Sequence, residues 1–297
     1  MAGILEELEE FEVPLLAVLS LVVLAAGFLI YQTIPIPMLI GQVSTTGAST
    51  MTGMTHDSNS LDAQAIVNEV TPPEGITIDA VWGNVVQDMI KAGALDPNKL
   101  ANLLASKYGQ QITPEMYKIL TTPNLNEKIT INSNNAVFMM YVFGMMAKHN
   151  DNPIIHNSPW TIPNIFSEAG RDGWGDVNLI SLTSDQQSLA QYIADNAYRP
   201  CCGQPTSKPD CTHGFSLLGL IELMASQGFD KSEIYKASLA FNSYWFPSNY
   251  IFDALYFKTA ENKDWNQVDA EKVMGRDYSS LSGAMAVQSY LKSAGII

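Results

Sequence analysis

A mainly α-helical protein is expected from this sequence: an N-terminal transmembrane helix, a linker, and one helical globular domain with few or no short strands. Three observations lead there. Residues 13–31 form an uncharged apolar run long enough to cross a bilayer. From Asp96 onward, helix starts are marked repeatedly by a capping side chain placed before a proline or three residues before Glu or Gln. Alternation of apolar and polar residues, the mark of a half-buried strand, is sparse.

Residues 1–12 form an acidic head carrying Glu6, Glu7, Glu9, Glu10 and Glu12. The run Val13 to Tyr31 would span about 28 Å as a helix. A cleaved signal peptide wants a basic head and a shorter apolar run, so the segment is expected to be an uncleaved anchor. Its orientation is weakly marked, because no Lys or Arg precedes Lys91. The low charge content favours an extracytoplasmic body, with the cytoplasmic orientation left open. Ile34-Pro-Ile-Pro37 then ends any regular helix. Residues 32–75 are expected to be a linker or an extended arm, rich in Ser, Thr, Gly and Met between Gly41 and Asp62, with Ile36, Met38, Leu39 and Ile40 able to lie along a partner.

The globular domain is expected to cover residues 76–297. Asp96-Pro97 and Thr113-Pro114 open helices reaching about Lys107 and Leu120. Asn132 to Lys148 is apolar nearly all round and is expected to be the central buried helix, too short for a second crossing. Ser184 to Gln187 has the spacing of a capping box and opens a helix to about Ala197. Phe215 to Gln227 is another apolar helix, closed by Gly228. Asp230 to Glu233 is a second capping box, opening a helix to about Trp245 before Pro247. Three more helices are expected at Tyr250 to Lys258, Asp269 to Met274 and Ser280 to Ala294, and short strands at Lys128 to Ile131 and Val177 to Leu182.

The 297-residue chain carries 16 Lys plus Arg against 30 Asp plus Glu, a formal net charge of −14. No basic patch is present to release counterions, which argues against nucleic acid as a partner and equally against anionic lipid headgroups. No phosphate-cradling glycine pattern appears, so nucleotide chemistry has no support. Gly214-Phe-Ser216-Leu-Leu218 lacks the second glycine of a nucleophile elbow. Gly170 to Asp176 lacks the spacing of a calcium loop and reads as a structured turn. His149 and His156 read as ordinary histidines rather than metal ligands.

The functional signal is concentrated in the loop 198–214, which holds all three cysteines and one of the four histidines. Cys201, Cys202, Cys211 and His213 match a Cys3His metal site, with zinc first and copper(I) as the alternative. An iron-sulfur cluster would need a reducing or shielded setting. The adjacent Cys201-Cys202 pair departs from the usual ligand spacing, and Pro200 and Gly203 beside it supply special backbone geometry. The competing reading is a disulfide from Cys211 to Cys201 or Cys202, with one thiol to spare.

Pro200-Cys201-Cys202-Gly203, with Cys211-Thr-His213 and Ser216-Leu217 downstream, resembles the Pro-Cys-Tyr-Cys-Gly-Cys loop and following His-x-Ser-Leu of a family of bacterial exported lipoproteins. The resemblance covers residues 200–217. It departs from the family pattern in having no residue between the first two cysteines and seven between Gly203 and Cys211. It implies an exported, membrane-attached setting and a thiol-rich site.

The expected function is therefore that of a noncatalytic, membrane-anchored extracytoplasmic protein whose Cys3His site stabilises the helical domain, serving as an accessory or assembly component of a membrane or envelope complex. Its partners would be the membrane, through residues 13–31, and proteins, through the linker and the aromatic segment 244–257. Two other classes stay open: a thiol-disulfide oxidoreductase or copper-handling protein using the same cysteines, though no Cys-x-x-Cys is present, and a structural subunit with a local disulfide and no metal.

Overall fold

The computed structural model describes residues 63–158 and 164–297. The acidic head, the expected anchor at 13–31 and most of the expected linker lie outside the described residues. Among the described residues, no helix is long and apolar enough to cross a membrane.

The body is mainly helical, as expected, around one small antiparallel sheet. Helix α1 (Ala63–Val70) falls in the stretch read as linker or arm and buries Ile66 and Val70. Strand β1 (Ile76–Gly83) pairs with β2 (Leu125–Ile131) from Ile76↔Ile131 through Ile78↔Ile129, with a register shift before Val81. The second strand contains the expected Lys128 to Ile131. The first was not anticipated, although its alternation is physical: Ile78, Ala80 and Trp82 face inward while their neighbours are open or half-open.

Between the strands lie α2 (Val85–Lys91), α3 (Pro97–Tyr108) and α4 (Pro114–Thr121). The last two start as the sequence indicates. Asp96 accepts from the backbone N–H groups of Asn98 and Lys99, and Thr113 from that of Met116, so the proline at each first position leaves no donor unmet.

The core is built on α5 (Ala136–His149), buried along almost its whole circumference. It begins four residues later than Asn132, because the Asn132 side chain instead accepts from the N–H groups of Asn134 and Asn135 in a turn. A short α6 (Pro153–His156) follows. Val177 to Leu182 makes no strand. Its backbone touches Asn150 in a single bridge, and the Leu179 and Ile180 N–H groups donate to the Asn150 side chain rather than to a neighbouring strand.

Helix α7 (Ser184–Asn196) opens one residue earlier in its cap than expected. Thr183, not Ser184, closes a reciprocal box with Gln186. Helix α8 (Thr212–Ser226) lies against α5 so closely that a Cβ on Gly219 would sit 2.2 Å from the Phe143 carbonyl oxygen. Ser216, the serine of the failed elbow motif, is buried, its single hydroxyl proton lying between Met140 O at 2.6 Å and Thr212 O at 2.7 Å.

Helix α9 (Lys231–Trp245) carries the expected Asp230/Glu233 box. Pro247 then starts α10 (Pro247–Ala260), as a first-turn proline can. The chain ends in α11 (Ala270–Met274), α12 (Arg276–Ser279) and α13 (Leu281–Ser293). Tyr244, Phe246, Tyr250, Phe252 and Phe257 are all buried, so the aromatic segment 244–257 is committed mainly to the core rather than to an outward face.

Candidate metal centre

The loop joining α7 to α8 contains Pro200, Pro205 and Pro209, each without a backbone donor. Its path is set by the donors that remain. Tyr198 N–H donates to Met274 O at 2.8 Å, Thr206 to Ala197 O at 2.9 Å and Ser207 to Ala194 O at 2.8 Å, while Leu281 N–H donates to Cys202 O at 2.9 Å. Asn242 Nδ2 adds a bond to Tyr198 O at 3.1 Å. The loop is thus tied to α7, α9, α11 and the start of α13.

That path gathers the sulfurs. Cys201 Sγ and Cys211 Sγ lie 3.4 Å apart. The ligand atoms of Cys201, Cys211 and His213 fall within 4.8 Å of one another, and so do those of Cys202, Asp210 and Cys211. All four residues named from the sequence therefore meet at Cys211, in two overlapping triads rather than in one set of four, and Asp210 joins the second. The thiols are free and half-buried, as is His213.

Helical geometry explains the meeting point. Cys211 is the N-cap of α8 and His213 its second residue, so both stand at the end where backbone N–H groups are unpaired and the helix dipole is positive. The His213 ring lies 4.4 Å from that of Phe246 and 6.2 Å from that of Trp245, which limits its orientation.

One residue of the site was missed. Arg199 has no exposed side-chain surface, and its Nε donates to Cys211 Sγ at 3.3 Å. Nη1 donates to Gln204 O at 3.2 Å and Nη2 pairs with Asp210. Burial opposes its charge, but its interactions with the cysteine sulfurs, Cys211 foremost, outweigh that and raise its pKa. The signal available in the sequence was a lone arginine inside a cysteine loop of an acidic chain.

Charge is distributed unevenly over the sulfurs. Hydrogen bonds from the Cys201 and Cys202 thiols, aided by His213 and the Arg199 guanidinium, hold Cys211 well below the usual thiol range. The bonds it makes to Cys202 and Cys211, together with burial, raise Cys201. Cys202 is pushed up to about 11, its bond to Cys201 being outweighed by its bond to Cys211 and by burial. Geometrically, Cys211 Sγ lies against the Cys201 thiol and the Arg199 Nε–H, while the Cys202 thiol reaches the Gln204 carbonyl.

Tetrahedral zinc, with bonds of about 2.3 Å to sulfur and 2.0 Å to nitrogen, separates its donor atoms by about 3.5–3.8 Å. The Cys201 to Cys211 spacing and the reach of His213 fit that requirement with small side-chain rotations. His149 and His156 take no part. His149 Nδ1 bonds to Asp176 Oδ1 at 2.8 Å, and His156 Nε2 to Asp151 Oδ1 at 2.7 Å. No protein-family model, curated protein or solved structure matches the chain.

Proposed function

We propose that the chain is a membrane-anchored, extracytoplasmic accessory protein whose helical body carries a transition-metal centre at Cys201, Cys202, Cys211 and His213, with zinc as its resident ion. The observation that carries this reading is the convergence of two thiols and an imidazole within 4.8 Å, with a third thiol on the same Cys211. Three thiolates around a dication leave one excess negative charge. The buried Arg199, also paired with Asp210, places positive charge beside these sulfurs and donates an N–H···S bond, the kind of outer contact that orients and tunes a metal-bound sulfur.

The metal's role in this reading is local. Backbone bonds already set the loop's path, and the half-buried thiols differ from a fully closed zinc site. The ion would clamp the end of the loop to the first turn of α8. Membrane attachment rests on residues 13–31.

The test is elemental analysis of the full-length chain, purified in detergent with a reductant but no chelator. About one zinc per chain is expected from a single four-ligand site, with thiols that resist alkylation until a chelator is added. A protein without bound metal, whose thiols all react at once and which takes up neither zinc nor copper(I) on addition, overturns the reading.

A further inference from the structure

The same loop holds a second chemistry that does not need a metal. Cys201 Sγ faces Cys211 Sγ at 3.4 Å, so closing a bond of about 2.05 Å asks the sulfurs to move by about 1.4 Å, within reach of small side-chain rotations. Cys202 Sγ instead points toward Gln204 O, 3.9 Å away. The guanidinium of Arg199 is fixed on three acceptors and aims Nε at Cys211, where it stabilises negative charge on that sulfur as attacking or leaving group. Half-burial of the thiols leaves them within reach of a reagent from solvent.

We propose that Cys201 and Cys211 form a dithiol-disulfide couple that, when the site is metal-free, exchanges with disulfide-bearing substrates. The Cys211 thiolate attacks one sulfur of the substrate disulfide. A mixed disulfide forms and the first substrate thiolate leaves. Cys201, giving up its proton to solvent, then attacks Cys211 Sγ and displaces the second substrate thiolate. The chain ends with a Cys201–Cys211 bridge, oxidised by two electrons, and the substrate ends as two thiols, reduced by two. Cys202 is the sulfur left over. Because the bridge uses two of the metal's ligands, bridge and metal exclude each other.

This inference shares its residues with the metal reading but not its premise, so the two fail separately. The probe is glutathione disulfide, added to the full-length chain in detergent after chelation and removal of metal, with intact mass as the readout. Wild type is expected to lose two hydrogens without retaining a glutathionyl group. Cys202→Ser is expected to close the same bridge, and Cys201→Ser to lose it. The double variant Cys201→Ser/Cys202→Ser, with no resolving thiol, is expected to hold one glutathionyl group on Cys211. Circular dichroism of each variant separates lost chemistry from lost folding. A folded wild type that accumulates glutathionyl adducts without an internal bridge overturns the proposal, as does a bridge that survives in Cys201→Ser and disappears in Cys202→Ser. A chain that bridges but never binds metal overturns only the metal reading.

Discussion

The guanidinium of Arg199, fully buried, donates from Nε to the sulfur of Cys211 at 3.3 Å. A planar fork reaches this sulfur, the Gln204 carbonyl and Asp210 at once. A lysine is a single point of charge and can satisfy only part of that set. Arg199→Lys is therefore expected to lower stability by about 2–4 kcal/mol, as buried pairs do when one partner is impaired. Urea unfolding checks this, and a midpoint unchanged from wild type would show that the fork does not hold the loop.

Ligand substitutions should rank by membership of the two triads. Cys211 belongs to both, whereas Cys202 and His213 each belong to one. Cys211→Ser is expected to abolish zinc retention. Cys202→Ser and His213→Ala are expected to weaken it by about tenfold or more while a partial site persists. Competition with a chromogenic chelator measures all three, and equal losses would contradict a Cys211-centred site.

How much of this could be read beforehand depended on the range of the interaction. Caps at Asp96, Thr113 and Asp230 were legible because a capping oxygen and its N–H target are two or three residues apart. The clustering of Cys201, Cys202, Cys211 and His213 was legible because all four lie in one short stretch of chain. Strand β1 was missed because its partner β2 lies more than forty positions away, and pairing outweighs weak local preference. Arg199 was missed for a related reason. An arginine declares itself structural only through burial, which α8 and the loop create together.

Glu222 sets the alkaline side of the stability profile. It is wholly buried, Oε2 accepts from Asn150 Nδ2 at 2.8 Å, and Oε1 has no partner among the described residues. Burial pushes its pKa up from 4.5 to about 8. Between those values the folded chain holds a proton that the unfolded chain has released, so stability falls as pH rises through the window. Glu222→Gln copies the neutral acid. At pH 8 it is expected to be more stable than wild type by roughly 2 kcal/mol or more, and to converge with it near pH 5. Parallel unfolding curves across this range would assign the slope elsewhere.

His149 works on the acid side. Burial lowers its pKa from 6.5 and outweighs the opposing Asp176 carboxylate, which accepts from Nδ1 in the neutral tautomer. The unfolded chain takes up this proton near pH 6.5 and the folded chain resists it, so stability falls as pH drops below that value. Long-range nitrogen–proton spectra followed through an acid titration are expected to show the ring still mainly neutral at pH 6.5, protonated on Nδ1, and to gain its second proton only below that pH. A ring that gains its second proton at or above pH 6.5 would contradict the burial argument.

Gly214 offers a way to disturb Arg199 without altering any donor atom. It is the third residue of α8, and a Cβ there would sit 2.6 Å from both Cζ and Nη2 of the guanidinium. Either the guanidinium leaves Cys211 or the first turn of α8 shifts, and overpacking of this kind costs about 1–3 kcal/mol. If displacement of Arg199 is the cause, the loss from Gly214→Ala should shrink when Arg199 is already Lys, whose narrower ammonium can move aside. A double-mutant cycle read by urea unfolding tests this. Additive losses would place the damage in the α8 backbone and leave the contact between Arg199 and Cys211 intact, while strong non-additivity, with weaker zinc retention in Gly214→Ala alone, would tie the guanidinium's position to the state of the sulfur.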